Sequence, residues 1–127
     1  FDGIINTNGG GFSSVRTPME QGILAEASGL KLRVKSDGRA YKITLRTKAR
    51  YRFRRISFQG VIPQTPTGEW SEVIVPFDGL KASLFGRPVS GAEFDRREVT
   101  ELGIIIADGT DGPFRLEIDW ISACLTP

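Results

Sequence analysis

The sequence predicts an all-β protein, a sandwich built of two antiparallel sheets. Apolar and polar residues alternate with a period of two along most of the chain, which is the pattern of a half-buried strand. The 127 residues include 15 glycines and 7 prolines that supply frequent turns, and 39% of the chain is hydrophobic. This balance favours a folded all-β domain over a disordered chain or a helical bundle. Short strands at this spacing are typical of a two-sheet sandwich.

The first predicted strand, residues 12–17, follows three consecutive glycines at positions 9–11. A phosphate-binding loop needs a lysine and a hydroxyl residue directly after its last glycine, but Phe12 and Ser13 stand there. A dinucleotide-binding loop needs spaced glycines between a strand and a helix. The glycines are therefore predicted to be structural, at a point where two backbones lie close or φ is positive.

Two further runs show the clearest alternation. Residues 29–35 are predicted to point Leu30, Leu32 and Val34 inward, and residues 40–47 repeat the pattern after an Asp37-Gly38 turn. We expect these runs to pair as a hairpin, so that their outward residues share one face. The remaining strands are predicted at 51–61, 69–77, 102–107 and 114–121, with an irregular excursion at 78–98. The last strand is predicted to turn four apolar side chains to one side: Phe114, Leu116, Ile118 and Trp120.

The residue inventory argues against catalysis. The chain has no histidine and one cysteine, Cys124, so it lacks a Ser-His or Cys-His pair and the commonest metal ligand. Cys124 lies in an apolar run and is predicted to be buried. No stretch approaches the roughly 20 apolar residues that span a bilayer, and the first residues show no signal-peptide pattern. We expect a non-enzymatic domain without a cofactor or a metal ion.

Two acidic motifs have structural interpretations that outweigh the functional ones. Glu117 and Asp119 share a face of the last strand, as a glycosidase carboxylate pair would, but no second catalytic feature accompanies them. Asp108 and Asp111 flank a glycine in a stretch that offers few of the oxygens a calcium site needs. A hairpin turn is the favoured interpretation there, and calcium binding stays an alternative.

Charge is unevenly distributed along the chain. Residues 31–55 sum to +10, residues 1–30 to −2 and residues 56–127 to −6, although the whole chain is only +2. With the predicted hairpin, the outward side chains would form one basic face: Lys31, Arg33, Lys35, Lys42 and Arg46. Either neighbouring acids such as Glu117 and Asp119 offset this face, or it docks an acidic protein, an anionic lipid surface or a nucleic acid.

The positions of the aromatic residues help to decide which kind of partner the chain binds. Tyr51 and Phe53 alternate with Arg52 and Arg54, so rings and guanidinium groups would fall on opposite faces and the rings are predicted to lie in the core. Because single-stranded nucleic acid needs both on one face, it is a disfavoured partner. A glycan-binding site would need exposed rings on one face, for which Trp70, Phe85 and Phe94 are candidates. Phe85, Arg87 and Phe94 lie in the irregular excursion and are predicted to form a recognition loop.

Four segments in order resemble the complex I intermediate-associated protein 30 family: "FDGII…NGGGFSSVRT", "GLKLRVKSDGRAYKITLRT", "W…VIVPFDGL" and "LGIIIADGTDGPFRLEIDWISA". The resemblance implies a jelly-roll β-sandwich of the galactose-binding-like type, similar to certain carbohydrate-binding modules. It also implies a role like that of the founding members, which are mitochondrial assembly chaperones for respiratory complex I, and it implies no catalytic residues. Relatives usually begin with a further strand, and we expect residues 1–127 to form one domain without it.

These observations lead to one functional expectation with an alternative. The chain is expected to be an assembly-factor-like protein-binding module that docks a protein subunit or assembly intermediate through the predicted basic face. A carbohydrate-binding module that uses loop aromatics is the alternative, and peripheral membrane contact is compatible with the charge. The compartment is expected to be the cytoplasm in a bacterium, and the mitochondrial matrix or another organelle in a eukaryote.

Overall fold

A computed structural model of the protein describes residues 1–5, 12–51, 54–84 and 87–125. The described residues form ten strands and two 3-10 turns, the turns at Phe77–Gly79 and Arg96–Glu98. The strands are β1 (Asp2–Ile5), β2 (Ser13–Pro18), β3 (Ala27–Ser36), β4 (Tyr41–Tyr51), β5 (Arg54–Val61), β6 (Trp70–Pro76), β7 (Lys81–Leu84), β8 (Arg87–Pro88), β9 (Glu101–Ile106) and β10 (Gly112–Leu125).

The strands form two antiparallel sheets, which confirms the predicted fold class. One sheet has four strands in the order β1-β10-β3-β6, and the other has six in the order β2-β9-β4-β5-β7-β8. The core lies between them and is built from the inward side of the alternating runs, where Leu32, Val34, Ile43 and Leu45 are fully buried. Complete burial of a side chain of this size stabilises the fold by about 1.5–3 kcal/mol, so the alternation itself specifies the sandwich.

The predicted hairpin between residues 29–35 and 40–47 is wrong. β3 pairs with β10 and β6, whereas β4 pairs with β5 and β9 in the other sheet. The turn that joins β3 to β4 is held by hydrogen bonds to residues of both sheets. The Asp37 carboxylate accepts them from the Arg39 and Arg115 backbone N–H groups and from the Tyr41 hydroxyl. The Asp-Gly turn therefore passes the chain from one sheet to the other.

Two other expectations need correction. The excursion at 78–98 is not irregular throughout, since β7 and β8 extend the six-stranded sheet from within it. In β10, a bulge between Ile118 and Trp120 changes the alternation, so that Ile118 opposes the inward Val34 but Trp120 opposes the outward Arg33. Trp120 therefore lies on the outer face of its sheet. Cys124, opposite Gly29 near the end of the same strand, is half-buried rather than buried.

The glycines at 9–11 and Phe53 lie outside the described residues, as does the side chain of Tyr51. The expectations made for them therefore remain predictions.

Candidate protein-binding surface

The two sheets of the sandwich differ sharply in charge. The strands of the four-stranded sheet contain four basic and four acidic residues. Those of the six-stranded sheet contain nine basic residues and a single acidic one, Glu101. We call the outward surfaces of these sheets the four-stranded face and the six-stranded face. The nine basic residues are Arg16, Lys42, Arg46, Lys48, Arg50, Arg54, Arg55, Lys81 and Arg87.

The basic face predicted from the sequence is divided between the two faces. Lys31, Arg33 and Lys35 project outward from β3 and belong to the four-stranded face. Lys42 and Arg46 project outward from β4 and belong to the six-stranded face. The five residues therefore do not form one surface, because strands that follow each other along the chain lie in opposite layers of the sandwich.

Acidic partners offset the basic residues of the four-stranded face. Each of the three β3 cations lies within 4 Å of a carboxylate on a neighbouring strand. Compensation by Glu117 and Asp119 was one of the two interpretations of the predicted basic face. Exposed pairs of this kind stabilise a fold by only about 0.2–1 kcal/mol, but they remove most of the net charge. The pairs are Lys31–Glu72 at 3.3 Å, Arg33–Asp119 at 3.3 Å and Lys35–Glu117 at 3.8 Å.

Among the described residues, the six-stranded face has less compensation, with one ion pair to a carboxylate of its strands. Arg46 reaches Glu101 at 3.6 Å, and Arg16 projects outward from the neighbouring edge strand. Burial lowers the pKa of Arg46, and the nearby Arg16 and Arg55 guanidinium groups lower it further against the opposing effect of Glu101. Arg55 is held in place by hydrogen bonds that it donates to protein oxygens, of which the Thr100 hydroxyl is the closest at 2.6 Å. Two further guanidinium groups thus lie near the Arg46–Glu101 pair.

A shallow groove of about 220 Å³ lies on the six-stranded face between β4 and β8. Lys42 and Lys81 line it, together with Gln59, Ser83 and the apolar side chain of Val61. Both lysines are exposed, and neither forms an ion pair with a carboxylate in the described part of the chain. The groove can therefore accept an anionic group without breaking an existing pair.

The residues predicted to form a recognition loop differ in their surroundings. Phe94 points into the molecule and packs its ring against Phe58 and Phe77, with ring centroids 5.3 and 5.0 Å apart. Phe94 is partly buried against the core, and its role in recognition remains a prediction. Arg87 is exposed on β8, and Phe85 lies outside the described residues.

Both tryptophans lie on the four-stranded face, on either side of β3. Trp70 is 40% exposed, and its ring is covered by Arg33, whose Cζ lies 5.0 Å from the ring centroid, and by Lys35 Nζ at 5.6 Å. Such cation–π contacts occupy a face that a sugar ring would need. The sequence left the exposure of Trp70 open and placed Trp120 inside, because the alternation does not reveal the bulge in β10.

The Asp108 loop is held by a guanidinium group. Arg39 donates to both carboxylate oxygens of Asp108, at 2.9 and 2.7 Å, and to the carbonyl oxygens of Thr110, Gly112 and Pro113. Oxygens that could face a calcium ion thus surround Arg39 instead. Within residues 1–5, 12–51, 54–84 and 87–125, no cluster of three or more His, Cys, Asp or Glu side chains could hold a metal ion.

None of the described residues forms a helix long and apolar enough to cross a membrane.

Comparison with known proteins adds a family and a fold. The family model of complex I intermediate-associated protein 30 matches residues 1–118. The mitochondrial complex I intermediate-associated protein 30 of Mus musculus is 33% identical over 101 residues, which are 77% of this chain and 30% of that protein. The probable counterpart in Caenorhabditis elegans is 35% identical over 101 residues, 74% of this chain and 28% of that protein. The chain thus spans less than a third of the length of these relatives.

Solved structures support the jelly-roll architecture. The family 11 carbohydrate-binding module of the cellulase Lic26A-Cel5E of Clostridium thermocellum superposes with a TM-score of 0.69 at 15% identity, over 91% of this chain and 68% of that one. A family 30 carbohydrate-binding module from the cellulase Cel9D-Cel44B of the same organism gives 0.61 at 17% identity, over 89% and 68%. At this identity, the likeness shows the fold alone.

Proposed function

The chain belongs to the complex I intermediate-associated protein 30 family, and from this premise we propose that it is a non-enzymatic protein-binding module of the assembly-factor type. Its partner is an acidic surface of a subunit or assembly intermediate of respiratory complex I, and the docking surface is the six-stranded face. The observation that carries the proposal is the charge of this sheet, with nine basic residues and one acidic residue in its strands. In a eukaryotic host the compartment is the mitochondrion, as the names of the relatives indicate.

The docking mechanism is electrostatic. Cations that lack partners raise the local concentration of an acidic protein and speed its encounter, an effect that falls with ionic strength. Guanidinium groups then bind carboxylates in a bidentate manner. A carboxylate that arrives beside Arg46 also relieves the repulsion from Arg16 and Arg55 that lowers the pKa of Arg46. Lys42 and Lys81 offer their ammonium groups without losing an internal ion pair.

The test is co-migration of the full-length protein with complex I assembly intermediates on native gels of its host's membranes. The double variant Lys42→Glu/Lys81→Glu is expected to reduce co-migration at least tenfold, because it reverses two unpaired charges on the six-stranded face. The matched control is Lys31→Glu/Arg115→Glu, which makes the same charge change on the four-stranded face and should leave co-migration intact. Equal co-migration of both variants and the unaltered protein would refute docking through the six-stranded face.

A second candidate function rests on Trp70 and Trp120. Two tryptophans on one face are a feature of glycan-binding surfaces, and one of the solved relatives in fold binds a β-1,3-1,4-mixed-linked tetrasaccharide. Calorimetry with that tetrasaccharide tests this candidate: binding that survives high salt and is lost in Trp70→Ala would support it, because stacking is not screened by ions. Protein docking is preferred because Arg33 and Lys35 already cover the Trp70 ring.

A further inference from the structure

We propose that the partner segment bound by the six-stranded face is an extended acidic stretch of about six residues that lies across the strands. This inference rests on the protein-binding function proposed above and specifies the chemistry and direction of the bound segment. It follows from one row of cross-strand neighbours in the six-stranded sheet, which we call the central row. The central row runs through Arg16, Gly103, Thr44, Gln59 and Lys81.

The central row has a cation at each end and no charge between. Arg16 pairs with Gly103 on β9, Gly103 with Thr44 on β4, Thr44 with Gln59 on β5, and Gln59 with Lys81 on β7. Four strand spacings of about 4.8 Å place the two ends roughly 19 Å apart. An extended peptide rises about 3.3 Å per residue, so a segment of about six residues connects Arg16 to Lys81.

The middle of the row is uncharged and closely packed. Gly103 has no side chain, and a Cβ atom there would lie 2.6 Å from Thr44 Oγ1 and 2.7 Å from the carbonyl oxygen of Val15. The Thr44 hydroxyl and the stem of Arg16, whose Cγ lies 3.1 Å from the same point, close over this glycine. At the opposite end the row enters the groove beside Lys81. A bound segment would therefore lie over Thr44 and the stem of Arg16, which fill the space above Gly103.

Two more cations flank the row at its centre. Lys42 and Arg46 lie two residues on either side of Thr44 and project outward with it, Arg46 beside its ion-pair partner Glu101. A segment that crosses β4 therefore passes between an ammonium and a guanidinium group, after Arg16 and before Lys81. In an extended segment every second side chain faces the sheet, at intervals of about 6.6 Å. Three carboxylates on the inward side of the segment span about 13 Å, so the long side chains at the two ends of the row reach inward to meet the outer two while the central cations meet the third.

The chemistry of this face selects an acidic peptide over a glycan or a single-stranded nucleic acid. Sugars and bases both need aromatic rings on which to stack. In the central row and its flanking cations, no residue is aromatic. Gln59 and Thr44 offer hydrogen bonds to a peptide backbone, whereas the cations select its acidic side chains.

Fluorescence anisotropy with a labelled eight-residue peptide of alternating glutamate and serine tests the inference on the full-length protein at low salt. Arg16→Gln and Lys81→Gln are each expected to weaken binding about threefold and together about tenfold. Gln59→Glu, which keeps the side-chain size but adds a negative charge to the row, should weaken it about fivefold. The matched controls are Lys31→Gln on the four-stranded face and Gln64→Glu in an exposed loop, and both should bind as the unaltered protein does.

The outcomes separate this inference from the proposed function. If Lys42→Gln and Arg46→Gln weaken peptide binding but Arg16→Gln and Lys81→Gln do not, the segment does not lie across the strands. In that case the inference fails while docking through the six-stranded face stands. If the peptide does not bind but complex I intermediates still co-migrate in a Lys42- and Lys81-dependent manner, the inference also fails. A uridine oligonucleotide that binds more tightly than the peptide would overturn the acidic peptide as occupant. If complex I intermediates do not co-migrate with the unaltered protein, the proposed function itself fails.

Discussion

Replacement of Arg39 by alanine tests what holds the loop between β9 and β10. The Arg39 guanidinium binds both carboxylate oxygens of Asp108 and three backbone carbonyl oxygens of the loop. The side chains of Arg39 and Asp108 are only 14% and 15% exposed. The substitution therefore leaves a mostly buried carboxylate without its cation and releases three carbonyl groups.

The expected loss of stability is about 3 kcal/mol. Hydrogen bonds to charged groups contribute about 1.5–3 kcal/mol each, and breaking a well-buried pair costs about 3–5 kcal/mol. The proximity of the loop to water places Arg39→Ala at the lower end of that range, which corresponds to a fall in Tm of roughly 10 °C for a domain of this size. Arg39→Lys keeps the charge but not the fork of donors, so its Tm should lie between those of the other two proteins.

A control of similar geometry is available at Arg97. Its guanidinium also binds an aspartate in a bidentate manner, with both distances to Asp95 at 3.0 Å, but the Arg97 side chain is 75% exposed. Arg97→Ala should therefore leave Tm unchanged within error. If Arg39→Ala and Arg97→Ala have equal Tm values in a thermal melt, burial of the Arg39–Asp108 pair does not stabilise the loop.

The pH dependence supplies a second check. The hydrogen bonds from Arg39 hold the pKa of Asp108 below its usual value. For a carboxylate with a lowered folded pKa, the stabilisation is complete above the unfolded value of about 3.9 and is lost as pH falls through the folded pKa. The Tm difference between the unaltered protein and Arg39→Ala should therefore be constant from pH 7 to pH 5 and narrow below about pH 4. A difference that stays constant down to pH 2.5 would contradict this reasoning.

Three further substitutions test the packing and the turn. Gly103→Ala would place a Cβ atom 2.6 Å from Thr44 Oγ1 and should destabilise the protein by about 2 kcal/mol in urea titration; Gly79→Ala, with open space at that point, is its neutral control. Phe94→Ala should cost about 3 kcal/mol by leaving a cavity and leave partner co-migration unchanged, whereas a loss of co-migration at unchanged stability would support the predicted role of Phe94 in recognition. Burial raises the pKa of Tyr41 above its usual value, so absorbance at 295 nm should show its ionisation only as the protein unfolds in alkali. Tyr41→Phe should remove that step, and an ionisation of the folded protein near pH 10 that is also lost in Tyr41→Phe would contradict it, because Tyr51 remains in both proteins.

The local part of the fold could be predicted from the sequence. Alternation placed Leu32 and Val34 on the inward side of β3, and Ile43 and Leu45 on that of β4, and all four are fully buried. This succeeds because the direction of a strand side chain depends only on its neighbours along the chain. Compensation of the β3 cations by Glu117 and Asp119 was one of the two interpretations of the sequence, whereas the third partner, Glu72, was not predicted.

The partners of each strand could not be predicted in the same way. Residues 29–47 alone do not indicate that the chain crosses to the opposite sheet at Asp37. One of the hydrogen bonds that hold this turn comes from the Arg115 N–H, which is 78 residues away along the chain. The bulge that turns Trp120 outward likewise depends on the register of β10 against β3. The candidate site depends on the strand partners and on this bulge. The predicted basic face is therefore divided between the two sheets, although each of its five residues was correctly predicted to point outward.

The distribution of charge between the sheets leads to a final expectation about salt. Like charges directly opposite each other cost tenths of a kcal/mol, and on the six-stranded sheet Arg55 stands opposite Arg50. The cations of the four-stranded face are instead stabilised by exposed pairs that salt weakens. Because the strands of the larger sheet contain nine basic residues and one acidic residue, relief of repulsion should exceed the loss of those pairs. Raising sodium chloride from 0.05 to 0.5 M should therefore increase Tm by about 2 °C, and Lys42→Glu/Lys81→Glu should abolish the increase. A fall in Tm with salt in the unaltered protein would mean that the six-stranded face is internally compensated, and a face without unpaired cations would have no electrostatic reason to bind an acidic partner.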